Sequence, residues 1–352
     1  MSPEAQSNCS GHDHSRNTLA ILGCGKIMSP NNALDLPANR SCHVGAMGTA
    51  ILCGVLTAKA LSPGVNGSRS LPNHFIACVR REETAAKIRS KLPAEALDSN
   101  VTVSVNDNVS AVRNAGTVLL ACQPHLFKPI LDEPGMAAAL IGKPIISVLA
   151  GVTSDEIESH LQHSAALGEN GENRTGDNHN KGTFSVIRVM PNVACAVQAS
   201  STVLETRPLH HPRPLPKHFV ATAHAIFSCV GNVFVTQPDT FSICTTLNGS
   251  TPAFFAMVID GLVDGAVALG LSHTEATRMA AATMRGTAEL VLHGKATQDL
   301  RYEVACPGGA TIQGLKALEE AKTRAVWMDA MRAATSEQSA LGVGLKVARK
   351  DV

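Results

Sequence analysis

The chain has 352 residues, a length that suggests two or three domains. Thirty Lys and Arg residues against 29 Asp and Glu residues give a net charge of +1, so the sequence lacks the basic excess typical of nucleic-acid-binding proteins. Hydrophobic residues make up 44% and aromatic residues only 3%, which indicates a globular chain without aromatic platforms for base stacking.

Three features favour a cytoplasmic protein without a metal. Residues 1–18 form a polar tail with no apolar signal core, so secretion is not expected. The longest apolar stretch, Ala253–Leu271, contains Asp260 and Asp264, and a membrane span of about 20 residues rarely carries two central carboxylates. The ten cysteines show neither a C-x-x-C pair nor metal-ligand spacing, which predicts reduced thiols and no metal site.

Short apolar runs alternate with helical stretches along the first half of the chain. The predicted strands are Thr18–Leu22, His74–Val79, Val101–Val105, Thr117–Cys122, Pro144–Leu149 and Phe184–Met190. The predicted helices between them are Met47–Leu61, Glu82–Leu92, Asn108–Ala115 and Asp155–Gln162. This alternation predicts βαβ units and a parallel sheet, in which ligands bind beyond the carboxyl ends of the strands.

After Pro238 only helices are predicted. They cover Thr251–Leu269, the stretch from the capping-box pair of Ser272 and Glu275 to His293, and the region from Pro307 to about Gln338. The first of them is apolar on every face and must therefore be buried on every face, which predicts a helical dimer interface. The predicted fold is α/β: an N-terminal Rossmann-type dinucleotide-binding domain over 19–237, followed by an all-α dimerisation and substrate domain over 238–345.

A glycine turn follows the first strand. Gly23 and Gly25 fit the first two positions of the G-x-G-x-x-G dinucleotide fingerprint. The third glycine is Gly48 if residues 27–45 are an insertion, because LAILGCG and AMGTAIL then join into one strand–turn–helix. A second, polar insertion is predicted over 164–182. From the glycine pattern alone, a turn that binds no ligand remains an alternative.

Two arginines end the second predicted strand. Dinucleotide sites for NAD place an acidic residue there, whereas NADP sites favour arginine. Arg80 and Arg81 therefore predict NADP as the cofactor, with NAD as the alternative. A solvated charge cluster at the start of a helix would give the same pattern.

The sequence resembles the Δ1-pyrroline-5-carboxylate reductases of fungal type, NAD(P)H-dependent enzymes of proline synthesis, from about Leu19 to Leu341. The strongest pieces are VMPN at Val189–Asn192, LNGSTPAFFAMVIDGLVDGAVALGL at Leu247–Leu271 and CPGGATIQGLKALEE at Cys306–Glu320. The last resembles the family signature S-P-G-G-[TA]-T-I-x-x-L-x-x-L-E. The resemblance implies reduction of the C=N bond of 1-pyrroline-5-carboxylate to L-proline by a homodimer or larger homo-oligomer.

The sequence departs from the family pattern at several positions. Gln123 stands where the family usually has lysine, Cys306 replaces the serine of the signature, and the family's S-G-S-G-P-A becomes Asn248–Ala253. Gene duplicates of this enzyme also serve secondary metabolism. Two alternatives therefore stay open: a reductase of a related cyclic imine, and a catalytically impaired paralogue that binds the cofactor.

The signature also predicts how substrate is held. Pro307-Gly308-Gly309 precedes a helix, whose free N–H groups and dipole can bind a carboxylate. Thr311 can offer its hydroxyl to the imine nitrogen as the catalytic side chain, and the resemblance places Ser250 in the substrate site with Gly308 and Gly309. The residues expected to bind the cofactor are Gly23, Gly25, Met47, Gly48, Arg80, Arg81, Asn108, Ala121, Gln123, Pro124, Ala150, Gly151 and Asn192.

Overall fold

The computed structural model describes residues 17–23, 44–61, 71–92, 96–97, 100–167, 183–207, 211 and 213–342. Residues 1–16 of the predicted tail, Gly25 and most of both predicted insertions lie outside the described residues, whereas Thr18, the last residue of the predicted tail, begins a strand. The chain forms two compact units. The first contains the described residues up to Gly249 together with those from Gln338, and the second is Ser250–Glu337.

An eight-stranded sheet forms the centre of the first unit. Its strands are β1 (Thr18–Leu22), β2 (His74–Val79), β3 (Val101–Val105), β4 (Thr117–Leu120), β5 (Pro144–Ser147), β6 (Ser185–Met190), β7 (Ser200–Glu205) and β8 (Gly231–Thr236). They lie in the order β3-β2-β1-β4-β5-β6-β7-β8. The first six pair in parallel, β7 is antiparallel to β6, and β8 is parallel to β7. This is the doubly wound order, with its crevice between β1 and β4.

Helices cover both faces of this sheet. They are α1 (Val44–Leu61), α2 (Glu82–Arg89), α3 (Asn108–Arg113), α4 (Phe127–Leu131), α5 (Met136–Leu140), α6 (Ser154–Leu167), α7 (Lys217–Ser228) and α8 (Pro238–Gly249). Successive residues of β1 enter different apolar clusters: Leu19 packs with α1, α2 and α7, whereas Ala20 packs with α3 to α6. Because both faces are buried, β1 is apolar without alternation.

The six predicted strands and their parallel pairing are confirmed, with ends that move by one or two residues. Strands β7 and β8 and helices α4, α5, α7 and α8 were not predicted. Two boundaries were wrong. Helix α1 begins at Val44, so the end of the predicted 27–45 insertion belongs to the helix. Helix α6 continues to Leu167 through the helix-forming residues Ala165 and Ala166. The start of the predicted 164–182 loop is therefore helical.

The second unit is helical. It contains α9 (Thr251–Ala268), α10 (His273–Leu292), α11 (Thr297–Val304), α12 (Ala310–Glu320) and most of α13 (Thr323–Gly342). The predicted pair of Ser272 and Glu275 caps this helix: Ser272 Oγ accepts the Glu275 N–H at 3.3 Å, while the Glu275 carboxylate accepts from the Ser272 hydroxyl rather than from its backbone N–H. Helix α11 was not predicted, and the helical region from Pro307 breaks at Lys322, whose φ is 55°.

Helix α9 leaves much of its apolar surface exposed in the single chain. Only Thr251 and Val263 are buried, whereas the Met257 side chain is 70% exposed. By length and composition, Pro238–Ala268 could cross a membrane, with a mean hydropathy of 1.4. An exposed apolar surface of this kind is typical of a helix that packs against another subunit.

Candidate active site

The turn after β1 brings two strand ends into backbone contact. Gly23 has φ 91°, and a Cβ built on it would lie 2.5 Å from the Cα of Cys122. The Ala121 N–H donates to the Leu22 carbonyl at 2.9 Å. Only glycine fits here, which leaves bare backbone at the crevice between β1 and β4 where a pyrophosphate would approach. Burial raises the pKa of the Cys122 thiol to about 12, so it stays protonated beside this turn.

Two guanidinium groups stand at the tip of β2. Arg80 and Arg81 are both exposed, and neither forms an ion pair with a described residue. Glu82, the neighbouring acid, pairs instead with Arg89 at 2.5 Å. Since β2 lies next to β1, the arginines flank the same edge of the sheet as the glycine turn. Both cations are therefore available to an anionic ligand there.

The exit of β3 contains a short hydrogen-bonded cluster. Asp107 caps α3 by accepting the Ser110 N–H at 3.3 Å. Asn108 donates from Nδ2 to Glu133 Oε1 at 2.6 Å. One N–H of its amide is thus engaged within the fold, and its side-chain oxygen and second N–H are left for a ligand.

The remaining predicted cofactor residues of this unit lie along the same edge. Gln123 is half-buried and extended, and its carbonyl accepts the Leu126 N–H at 2.9 Å before the short helix that begins at Pro124. Gly151 has φ 72° beside the exposed Ala150 after β5. Met47 and Gly48 lie in the first turns of α1. Because parallel strands end at one edge, the sheet brings these positions to the side where Gly23 and Arg80 lie.

Asn192, at the exit of β6, uses both ends of its amide inside the fold. Its Oδ1 accepts the Ala194 N–H at 3.0 Å, and its Nδ2 donates to the Asn248 carbonyl at 3.2 Å. Asn248 in turn donates from Nδ2 to the carbonyl of Met190. These bonds fix the end of α8 against the end of β6, so the Asn192 side chain has a structural task as well as its predicted place near the cofactor.

A buried ionic network, which sequence reasoning did not find, joins β6, β7 and α8. Arg188 Nη1 lies 3.3 Å from Glu205 Oε1, and its guanidinium stacks 4.1 Å above the centre of the Phe241 ring. Ser154, at the start of α6, donates to Glu205 at 3.4 Å. Burial raises the pKa of Glu205 and lowers that of Arg188, and each partner opposes the shift of the other. The sequence signal was one charged residue in each strand: Arg188 within the mostly apolar SVIRVM, and Glu205 at the end of SSTVLE.

The family signature forms a tight turn before α12 in the second unit. The Gly309 N–H donates to the Cys306 carbonyl at 3.0 Å, and Gly308 has φ 72°, which defines a type II turn with Pro307 at its second position. Because the turn uses the Gly309 N–H, the donors open to an anion are those of Gly308 and the first residues of α12.

Two predicted substrate residues begin helices of the second unit. Thr311 is the second residue of α12. It is exposed, and its hydroxyl bonds to no described residue. Ser250 precedes α9 and accepts the Ala253 N–H through its backbone carbonyl at 3.1 Å, while its hydroxyl makes no capping bond. Both hydroxyls are therefore free of local structural bonds.

Two family models match the chain. Residues 44–151 match the family described as NADP oxidoreductase coenzyme F420-dependent, and residues 238–341 match the family described as pyrroline-5-carboxylate reductase dimerisation. Among solved structures, a pyrroline-5-carboxylate reductase from Coxiella burnetii has a TM-score of 0.67 at 23% identity and covers 93% of this chain and 98% of its own. Pyrroline carboxylate reductase from Plasmodium falciparum, with NADP bound, has a TM-score of 0.64 at 18% identity, covering 94% and 99%. These structural similarities show that the chain shares the fold of these two reductases.

Curated relatives extend the match over nearly the whole chain. Delta-1-pyrroline-5-carboxylate reductase kk1I of Curvularia clavata is 47% identical and covers 93% of this chain and 96% of its own length. Pyrroline-5-carboxylate reductase of Neurospora crassa is 37% identical and covers 93% of each. At this identity and coverage, the predicted family is confirmed: the chain belongs to the pyrroline-5-carboxylate reductases.

Proposed function

We propose that this chain reduces the C=N bond of 1-pyrroline-5-carboxylate to L-proline by hydride transfer from NADPH. The observation that carries the proposal is the Cys306–Gly309 turn before α12, with free N–H groups and the Thr311 hydroxyl at the start of one helix. That combination can hold a carboxylate and a ring nitrogen on the same small molecule. Names of relatives at 47% and 37% identity support the same reaction.

The chain's own residues bind and orient in this reaction. NADPH supplies the hydride when it is bound. The N–H groups at the start of α12 hold the substrate carboxylate, and the helix dipole favours that negative charge. The Thr311 hydroxyl hydrogen-bonds to the ring nitrogen and stabilises it as its charge changes. An imine that binds already protonated needs no general acid, which agrees with a signature that contains no His–Asp pair.

Oxidation of NADPH by purified protein in the presence of 1-pyrroline-5-carboxylate tests the proposal. Turnover supports it, and binding of NADPH without turnover would identify a catalytically impaired paralogue instead. A second candidate, reduction of a related cyclic imine in secondary metabolism, is favoured by Asn248 and Thr251 where the family pattern has serine and glycine. A panel of substituted cyclic imines separates the two, because the better substrate has the higher kcat/KM.

NADPH is the proposed cofactor rather than NADH, because Arg80 and Arg81 are exposed and unpaired with any described residue. A 2′-phosphate would form charge-assisted hydrogen bonds with them. Replacing both with serine should raise the KM for NADPH by roughly tenfold or more and change that for NADH by less than about twofold. Replacing Arg332, which pairs with Asp329 in α13, provides a control for the loss of a surface arginine elsewhere in the chain. Equal effects on the two cofactors would contradict the assignment.

We also propose a homodimer, which can assemble further, formed through α9, α10, α12 and α13. The match of 238–341 to a dimerisation family supports it, as does the exposed apolar surface of Met257 and Leu269, which are 70% and 91% exposed. In this assembly Asp260 and Asp264 form a polar stripe at the interface. Light scattering at decreasing protein concentration should show a dimer down to the micromolar range or below, and a folded monomer would contradict it.

The protein is further proposed to be cytoplasmic, to contain no metal and to have no nucleic-acid or membrane partner. A net charge of +1 provides no electrostatic attraction for nucleic acid. Asp260 and Asp264, both exposed on α9, would be costly in the hydrocarbon core of a bilayer. A second subunit would cover the apolar surface at no such cost.

A further inference from the structure

Two side-chain atoms of α8 are buried without a hydrogen-bond partner among the described residues. They are Thr245 Oγ1 and Asn248 Oδ1, on residues that are 5% and 4% exposed. Three positions separate the residues, so both side chains lie on one side of the helix. Buried polar atoms are nearly always paired, because an unpaired one loses its bond to water and gains nothing in return. A partner is therefore to be expected from outside the described chain.

The Thr246 hydroxyl and the amide nitrogen and backbone carbonyl of Asn248 are paired with described residues. Thr246 Oγ1 donates to the Ser242 carbonyl at 3.0 Å. The Asn248 amide nitrogen donates to the Met190 carbonyl, and the Asn248 backbone carbonyl accepts from Asn192 at 3.2 Å. These bonds fix the Asn248 side chain, so its oxygen cannot rotate towards a protein donor without losing the bond to Met190.

The two unpaired atoms lie at the carboxyl edge of the sheet. Met190, which Asn248 contacts, is the last residue of β6. In a sheet of this order, each half binds one nucleotide of a dinucleotide. Arg80 directly follows β2, which belongs to the β1–β3 half. Because Arg80 is the proposed partner of the 2′-phosphate, the phosphorylated adenosine belongs to that half. The β4–β6 half, where Asn248 lies, is then left for the nicotinamide nucleotide.

A carboxamide matches the two atoms chemically. Its NH₂ group is a donor and its C=O group an acceptor, whereas Asn248 Oδ1 is an acceptor and the Thr245 hydroxyl is a donor. We propose that Asn248 and Thr245 bind the carboxamide of the nicotinamide ring, with Asn248 Oδ1 accepting from the NH₂ group. The inference rests on the proposed use of NADPH. Serine, which the family pattern has at this position, would lack the amide oxygen.

Calorimetric titration of the full chain with two ligands tests the contact to Asn248. The ligands are NADP and its 3-acetylpyridine analogue, in which a methyl group replaces the NH₂. The parent should bind the analogue about tenfold more weakly, since the buried oxygen stays unpaired. In Asn248→Ser, which removes the amide oxygen, this ratio should fall to about twofold. A ratio near one in the parent, or an unchanged ratio in the variant, overturns the proposal.

Thr245→Val provides a second variant that is expected to fold. It has nearly the same shape and removes a hydroxyl that has no partner among the described residues, so its melting temperature should not fall. We expect it to weaken binding of NADP and of the analogue by about the same factor, roughly tenfold. The matched control is Thr246→Val, whose hydroxyl already bonds to Ser242, and it should leave both dissociation constants within about twofold of the parent.

A buried water is the competing occupant. If water alone bridges the two atoms, Thr245→Val and Asn248→Ser alter thermal stability while both ligands keep their parental affinities, and the inference is wrong. A parent that binds neither ligand would overturn the proposed function and this inference with it. A parent that binds both equally well overturns this inference alone.

Discussion

Replacing Gly23 with alanine should abolish measurable NADPH binding and lower the free energy of unfolding by roughly 2–5 kcal/mol. An L-residue at φ 91° is strained, and the added Cβ would lie 2.5 Å from the Cα of Cys122 and 2.6 Å from its backbone nitrogen. Backbone atoms cannot move aside as a flexible side chain can. The ends of β1 and β4 would therefore separate, and the crevice between them would change shape.

Gly142→Ala is the matched control for this prediction. Gly142 has φ 74°, also in the left-handed region, but a Cβ there would meet no atom within 4 Å. The Gly142→Ala variant should lower the free energy of unfolding only by the backbone strain, about 1–2 kcal/mol, and leave NADPH affinity unchanged. Urea denaturation and calorimetric titration of the two variants measure both quantities. Similar losses of affinity in both variants would show that Gly23 is needed for its backbone angle and not for close packing.

Much of the sheet was predictable from the sequence because four of its first six strands, β1, β4, β5 and β6, are buried on both faces. Runs such as TLAIL and TVLLAC are short, apolar and soon followed by glycine or proline, which favours a buried strand over a helix. Strands β7 and β8 lacked this signal. SSTVLE contains polar residues that are buried only by tertiary packing, such as Thr202, and in GNVFVT at the sheet edge Phe234 and Val235 stay exposed.

The features of the site also fall into two groups, those that local sequence predicts and those that depend on residues far apart in the chain. Positions defined by local backbone geometry, such as Gly23, Gly151 and Gly308, could be predicted because a turn with positive φ strongly favours glycine. The bond between Asn192 and Asn248 joins residues 56 positions apart, and the unpaired oxygen of Asn248 becomes visible only when every nearby donor is placed. The bond from the Gly309 N–H to the Cys306 carbonyl likewise depends on the folded backbone and could not be predicted from the residue types.

Thr311→Ala is expected to lower kcat/KM by roughly ten- to a thousandfold, the scale of losing one well-placed polar contact in a transition state. The Thr311 hydroxyl lies at the start of α12, it is exposed, and no described residue bonds to it. Within C-P-G-G-A-T-I it is the only hydroxyl, because Cys306 replaces the serine of the family signature. The charge on the ring nitrogen changes during hydride transfer, so this contact should matter more for kcat than for substrate binding.

Three measurements separate this role from a structural one. Thr311→Ser keeps the hydroxyl and should retain kcat/KM within a fewfold of the parent, whereas Thr323→Ala removes a hydroxyl from the first turn of α13 and should change it by less than about twofold. The dissociation constant for NADPH should be the same in all variants, because Thr311 lies outside the unit that contains the glycine turn and Arg80. Parental kinetics in Thr311→Ala would remove this hydroxyl from the mechanism. The N–H groups at the start of α12 would then be the only contribution of the signature to catalysis.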